Sequence, residues 1–385
     1  MGGTAVVLGG GIGGLAAALG LRRIGWDVTV VERAPLLEDA GAGISLAANG
    51  LRALDELGIG EPVRDASKGQ YTGGTRTPRG GWLARMDGSA LEKAVGTPIM
   101  GIPRATLHRL LRASLPADSL LIGAEAARVE QTGPGTVQVD CGESVLSADL
   151  VVAADGIGSK VRGRLFPEHP GPVYSGSTVL RAITEPAVDL RADFELTWGR
   201  GAEFGHIALQ DGRAEWHAVL TLPAGSRFAD PPAELRRRFQ AWHDPIPALL
   251  EATLPAAVLH HDVNELRTPL PSYVVGRIAL LGDAAHAMTP NLGQGACQAL
   301  EDAVTLAAAL RAESTVESAL ARYDAERRPR SQAVAQAARQ AGRTGQQLAH
   351  PLAVALRNTA MRLTPSRAAM RMILRHHAWV APQLG

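Results

Sequence analysis

Residues 6–32 read Val-Val-Leu-Gly-Gly-Gly-Ile-Gly-Gly-Leu-Ala-Ala-Ala-Leu-Gly-Leu-Arg-Arg-Ile-Gly-Trp-Asp-Val-Thr-Val-Val-Glu. This is the pattern of a strand, a glycine turn, a helix and a second strand ending in an acid. Gly9, Gly11 and Gly14 fit G-x-G-x-x-G. The first glycine permits the tight turn, the second lets the backbone approach a pyrophosphate, and the third lets the helix pack closely on the strand. The N-terminus of that helix offers free N–H groups and a partial positive charge to phosphates. Glu32 falls 21 positions after Gly11, where a carboxylate can accept hydrogen bonds from a ribose. A secretory leader fits poorly, because no basic stretch precedes the apolar run and six of residues 9–20 are glycine. The motif predicts a dinucleotide site without saying which dinucleotide or which reaction.

At 385 residues, 46% hydrophobic and 20% charged, the chain is long enough for two domains of an ordinary soluble enzyme. Outside the glycine-rich opening there is no uncharged apolar stretch of membrane-spanning length. Cys141 and Cys297 have no CxxC spacing, so a disulfide framework or a zinc site is not expected and a reducing cytoplasm is the default. No cluster of metal ligands is expected either. The net charge of +1 hides an asymmetry: residues 327–385 hold ten Arg and no Asp or Glu, leaving 29 basic against 38 acidic residues elsewhere. The primary reading is a basic helical segment docked on an acidic body; the lesser one is a membrane-surface patch, with Arg367, Arg371 and Arg375 as an i, i+4 stripe. Nucleic acid is not an expected partner, since the total charge is near zero and no aromatic-interleaved basic motif occurs.

Along the chain, the opening β-α-β is followed by a helix over 48–57, a hairpin over 71–96 turning at Pro78-Arg79-Gly80-Gly81, and an amphipathic helix over 102–115. Between Asp149 and Asp155, residues 150–154 are a continuous apolar run, as in a buried parallel strand, ending at Asp155-Gly156. Residues 173–222 alternate like antiparallel strands. A second buried strand over 277–281 ends at Gly282-Asp283, and 295–312 is a strong helix. Residues beyond it are helical, broken at Pro351 and Pro365. Ligands of doubly wound sheets lie beyond the carboxyl ends of the strands, so Asp155, Asp283 and the opening glycines outline one long groove.

With its three motifs in this order, the third continuing Pro290-Asn-Leu-Gly-Gln-Gly295, the chain resembles the group A FAD-dependent monooxygenases, the para-hydroxybenzoate hydroxylase-like aromatic hydroxylases. The likeness covers nearly the whole chain. It implies an α/β fold: a Rossmann-like FAD-binding domain (1–70, 98–172 and 272–330), an interleaved antiparallel-sheet substrate domain (71–97 and 173–271) and a C-terminal helical segment (331–385). It further implies that Gly9, Gly11, Gly13, Gly14, Glu32, Arg33 and Ser45 serve the ADP half of FAD, with Ala126 near the adenine and Arg104 also at the cofactor. Asp155 is associated with both FAD and NAD(P)H, Asp283 would hold the ribityl chain or pyrophosphate, and Pro290, Gly293, Gln294 and Gly295 would line the flavin ring.

The implied activity is insertion of one oxygen atom from O2 into an aromatic or otherwise electron-rich small molecule through a flavin C4a-hydroperoxide, with NADH or NADPH as co-substrate. A ring of the aromatic or polycyclic type is the expected substrate. The alternatives are an FAD-dependent reductase of an unsaturated or lipid-like substrate and a flavin-binding protein without turnover. No W-x-W-x-I-P occurs, which argues against a halogenase. Elementary physics supports the flavin roles: the reduced ring is anionic, and a glycine loop opening a helix presents N–H groups and a positive dipole end to it.

For the substrate side, Asp211-Gly212 reads as a two-residue hairpin turn. Pairing Gln210 with Arg213 places His206 opposite His217, and puts both on one face with Gln210, Arg213 and Glu215. These histidines are the candidates for a base near neutral pH that deprotonates a phenol.

Overall fold

The computed structural model describes residues 2–36, 42–133, 135–142 and 144–385. Its centre is a six-stranded sheet in the order Val274–Val275, Ile278–Leu280, Leu150–Ala153, Thr4–Leu8, Asp27–Glu32 and Leu120–Ile122. All neighbours are parallel except the first pair. The strands are apolar on both faces because helices cover both, as parallel sheets require. The opening helix Ile12–Arg23 packs against Gly295–Ala312, whose residues Cys297–Leu310 are all buried. A Cβ on Gly13 would come within 3.3 Å of Ala299 Cβ, and one on Gly20 equally close to Ala307 Cβ. Small residues at these two levels let the helix axes approach.

A seven-stranded sheet lies beside this unit, in the order Leu259–Glu265, Val173–Ile183, Ala214–Thr221, Ala202–Ala208, Phe194–Trp198, Thr72–Arg76 and Trp82–Asp87. One face carries Phe204, Trp216, Ala218 and Leu180, and packs on helices Pro231–Phe239 and Ile246–Glu251 through Phe239, Ile246 and Leu249. The other face is turned toward the six-stranded unit. There a Cβ on Gly43 would fall 2.7 Å from Glu215 Cβ, and Gln70 donates to the Ala208 carbonyl at 3.1 Å.

The hairpin register differs from the sequence expectation by one residue. Leu209 N–H donates to the Arg213 carbonyl at 2.9 Å, and Gly212 adopts φ +80. The loop therefore has three residues ending in a left-handed glycine, the next most common hairpin connection after the two-residue turn. Gly205 now pairs with His217, and His206 with Trp216. A one-residue slip reverses faces, so His206 and His217 lie on opposite sides of the sheet. His206 sits on the helix-covered back, 2% exposed, beside the Ala192 carbonyl at 3.3 Å. The expectation that the two histidines share a face is thus overturned.

The C-terminal segment forms helices Val316–Thr344, Pro351–Leu363 and Ser366–His377. The last docks through Met370, Ile373 and Leu374 on Ala48, Leu91 and Val95. The first supplies Arg327, 1% exposed, which donates to Asp302 Oδ1 at 2.7 Å, to Gln298 Oε1 at 2.8 Å and to Glu301 Oε2. Arg330 also reaches Glu301, at 2.6 and 2.7 Å. No helix among the described residues is long and apolar enough to cross a membrane.

Two outcomes follow from this packing. Removing one member of a buried ion pair costs about 3–5 kcal/mol, so Arg327→Met should lower the unfolding free energy by that order in a chemical denaturation series; an unchanged midpoint would show that the knot is dispensable. Burial lowers the His206 pKa to about 4 against an ordinary 6.5. The unfolded chain then binds a proton that the native one refuses. Stability is complete above the ordinary pKa and is lost as pH falls from there toward about 4, by about 3 kcal/mol for this residue. Melting curves of wild type and His206→Gln should diverge over that window, and parallel curves would contradict it.

Candidate functional site

The ADP end of the groove is built by chain turns at strand ends. Gly9 adopts φ +108, and a Cβ there would lie 2.4 Å from the Ala154 carbonyl oxygen; a Cβ on Gly14 would lie 1.9 Å from the Gly9 oxygen. Both positions therefore exclude a side chain. Gly11, by contrast, faces open space, and as N-cap it leaves the first N–H groups of the opening helix without a side-chain partner. Glu32 accepts from Gly10 N–H at 2.7 Å and from Ala34 N–H at 2.8 Å. Its carboxylate is thus locked beside the glycine turn with lone pairs to spare for ribose hydroxyls.

Gly9, Gly11, Glu32, Arg33, Ala126 and Asp155 line one continuous groove. Asp155 Oδ2 accepts from Lys160 N–H at 3.0 Å, while its buried Oδ1 has no partner among the described residues. Across the mouth, Lys160 Nζ meets Glu125 Oε1 at 2.6 Å. Gly13 stands slightly apart, between Leu281 and Ala299. Sequence reading missed His108, whose Nε2 donates to the buried Gly10 carbonyl at 2.7 Å and so ties the helix Arg104–Ala113 to the glycine turn. Its position one turn after Arg104, on the apolar side of an amphipathic helix, was the available signal.

At the far end, Gly282 (φ +61) turns the chain into Asp283–His286. The turn hangs from Asp302, whose Oδ2 accepts from Gly282 N–H at 2.9 Å and from His286 Nε2 at 2.6 Å. The arginine and histidine contacts outweigh burial and hold the Asp302 pKa at about 2. The Asp283 side chain is itself exposed. The surrounding protein desolvates it enough to push its pKa up, with His286 and Arg104 pulling the other way. Arg104 begins its helix after Pro103 and donates its backbone N–H to the Ala42 carbonyl at 3.1 Å. Ser45 lies next to it, on a strand paired with Gly101.

Pro290–Leu292 form one 3-10 turn, Gly293 adopts φ +61 and Gln294 caps Gly295–Ala312. Gln294 is buried. Its Oε1 accepts from Asn49 Nδ2 at 2.8 Å, and its Nε2 has no partner among the described residues. Cβ atoms on Gly293 and Gly295 would meet nothing.

These features fit FAD. The groove has an open backbone approach at Gly11, an orphaned carboxylate oxygen at Asp155, and a carboxylate suited to hydroxyl groups at Asp283. It also has an unobstructed glycine loop at the head of an 18-residue helix. Unpaired buried polar atoms are costly and call for a partner.

Facing this end, the seven-stranded sheet presents Arg181, His217, Glu203 and Glu215 amid Ile207, Leu196 and Val219. The His217 ring lies over Gly205, where a Cβ would be 2.3 Å from Nε2. Glu215 Oε2 lies 3.4 Å from Nδ1 and Glu203 Oε1 3.7 Å from Nε2. Burial alone would lower the His217 pKa; Glu215 and Glu203 outweigh it and raise it. Burial raises the Glu203 pKa, opposed by His217 and by the indole N–H of Trp198.

Known proteins point the same way. Residues 3–338 match the family model described as FAD binding domain. The chain is 39% identical over 346 residues to aurachin C monooxygenase/isomerase of Stigmatella aurantiaca, covering 89% of this chain and 90% of that one. It is 34% identical over 343 residues to 3-amino-4-hydroxybenzoate 2-monooxygenase of Streptomyces cremeus, covering 86% and 85%. The fold superimposes with TM-score 0.91 on a Klebsiella pneumoniae protein crystallised with FAD and uric acid, at 28% identity over 99% and 98% of the two chains. The groove, the glycine loop and these likenesses converge: the chain belongs to the FAD-binding-domain family, among the group A aromatic hydroxylases, and is an FAD-dependent monooxygenase.

Proposed function

We propose that this enzyme uses NADH or NADPH and O2 to hydroxylate a small aromatic molecule held between the 290–295 loop and the sheet face that carries His217. The observation that carries this reading is the meeting of the two halves. Gly43, whose Cβ would fall 2.7 Å from Glu215 Cβ, brings the cofactor unit against the sheet face that carries His217 and its strand partner Arg181, and Arg104 lies within reach of the charges of both Arg181 and Asp283. In this reading Gly9, Gly11, Gly13, Gly14, Glu32, Arg33, Ser45, Ala126 and Asp155 hold the ADP half, and Arg104, Asp283, Pro290, Gly293, Gln294 and Gly295 hold the flavin half. The division into FAD-binding stretches 1–70, 98–172 and 272–330 and substrate stretches 71–97 and 173–271 belongs to the same reading. Free Cys141 and Cys297 suit a reducing cytoplasm.

FAD, when bound, supplies the redox chemistry that activates O2 after reduction by NAD(P)H. The chain's own residues do the rest. The glycine loop and the head of the helix Gly295–Ala312 orient N–H groups toward negative charge on the ring system. The apolar part of the sheet, with Leu196 and Ile207, excludes water. His217 exchanges the proton of a substrate hydroxyl at its imidazole, and ionising that hydroxyl enriches the ring for attack. Burial lowers the His217 pKa, but its two carboxylates outweigh that and raise it, so the basic form accumulates at higher pH than in an ordinary imidazole.

Asp283→Ala should retain less flavin after desalting and bind FAD about 10- to 100-fold more weakly, the worth of a hydrogen bond to a charged group; full flavin content would remove Asp283 from this role. His217→Ala should oxidise NAD(P)H while losing the product that has gained one oxygen atom, which mass spectrometry of the products decides. The acidic limb of the rate profile should lie above the ordinary imidazole range. Glu215→Gln, which removes a carboxylate that raises the His217 pKa, should move that limb to lower pH. A limb that stays in place would separate His217 from proton exchange.

A further inference from the structure

We infer that the outer face of the last two helices docks on an anionic lipid surface, so that this enzyme works bound to a membrane from one side.

The arginines of residues 327–385 do not share one role. Arg327, Arg328, Arg330 and Arg339 form ion pairs with Glu301, Asp302, Asp324 and Glu265. Arg362, Arg367, Arg371 and Arg375 are exposed and form no ion pair among the described residues. No Asp or Glu occurs after Glu326 to offer them one.

Beside these four cations runs an apolar stripe. Leu352, Leu356 and Leu363 on helix Pro351–Leu363 fall within about 60° of one another around its axis, and they are 74%, 73% and 76% exposed. The inward side of the same helix carries the buried Arg357, which donates to the Gly345 carbonyl at 2.7 Å and lies over the Trp198 ring. The stripe therefore points away from the protein. Thr364-Pro365 then turn the chain into Ser366–His377, whose Met370, Ile373 and Leu374 are used against Ala48, Leu91 and Val95. Met372 is left exposed together with Arg367, Arg371 and Arg375.

A single exposed leucine is ordinary, but three on one helix face amid unpaired cations call for a partner that is both apolar and anionic. A second copy of the chain does not supply it, because a self-complementary contact would bring these arginines against one another. A bilayer with acidic headgroups does. Its acyl boundary takes the leucines and its phosphates take the guanidinium groups. The remainder of the chain holds 29 basic against 38 acidic residues, so the same surface repels it and thereby orients the protein. No helix among the described residues could cross a bilayer, and the contact stays at the surface. The docked helix is backed by Trp198, which donates to Glu203 beside His217. Docking thus sets the polar face of the sheet about one helix diameter from the lipid.

The test is sedimentation of the FAD-loaded whole chain with vesicles of phosphatidylcholine alone and of phosphatidylcholine mixed with phosphatidylglycerol. The protein should sediment with the mixed vesicles and stay in the supernatant with the neutral ones. Raising the salt from about 0.05 to about 0.5 M should weaken binding at least about tenfold, because screening removes the arginine share. Replacing Leu352, Leu356 and Leu363 by Gln changes only exposed positions. That variant should keep its flavin while binding mixed vesicles about tenfold or more weakly. Replacing Arg367, Arg371 and Arg375 by Gln should cost about fivefold per arginine. A wild type that fails to bind mixed vesicles at low salt overturns the proposal, as does equal binding to the two vesicle types. Equal binding of wild type and the leucine variant also overturns it, since the contact would then be diffuse charge attraction alone. A wild type that ignores vesicles but dimerises in sedimentation velocity, and is returned to monomer by the leucine replacements, assigns the face to a second copy instead.

Discussion

The structure hangs on a buried knot of charge around Arg327. Three elements meet there: the helix Gly295–Ala312 through Glu301, Asp302 and Gln298, the long helix Val316–Thr344 through Arg327 and Arg330, and the turn at Gly282 through Asp302. Asn49 joins through Glu301 at 2.7 Å and through Gln294 at 2.8 Å. Buried ions are costly unless each is paired and hydrogen-bonded. Here Asp302 answers to Arg327, His286 and a backbone N–H, so its charge is satisfied from three sides. The consequence is functional as well as structural. Both loops that would embrace a flavin, the Gly282-Asp283 turn and the Gln294 cap, are suspended from this knot.

The second constraint is closeness. Gly43 lets the FAD-binding unit approach the seven-stranded sheet at Glu215, and within that sheet Gly205 leaves room for the ring of its strand partner His217. A side chain at either position would displace the carboxylate or the imidazole. The polar island of Arg181, His217, Glu203 and Glu215 is thereby set into an otherwise apolar wall, where low polarity strengthens each interaction.

Much of this was legible in the chain. The β-α-β opening, the buried strands ending at Asp155 and Asp283, and the helix from Gly295 to Ala312 were read with their types and places. Their signals are local: apolar runs, helical period and glycines that only a turn or a close contact requires. The groove residues Gly9, Gly11, Glu32, Arg33, Ala126 and Asp155 were named before their meeting was visible. The hairpin at Asp211-Gly212 was read as a hairpin but with the wrong loop length. Two- and three-residue loops share the same Asp-Gly signature, and that single residue sent His206 to the far face of the sheet and left His217 alone on the cofactor side.

Arg181 and Glu203 carried no local signal, and His108 only its place on the apolar side of a helix. Each matters through a partner far along the chain: Gly10 for His108, His217 for Arg181 and Glu203. The sequence by itself therefore determined the family, the cofactor and the elements that carry it, because a dinucleotide site is written in contiguous glycines and in acids at strand ends. Only the tertiary structure decided the face of the sheet, the partners of each charge and the residues that would meet a substrate. Those depend on strand register and on burial beside distant segments, and neither is encoded in any single stretch of chain.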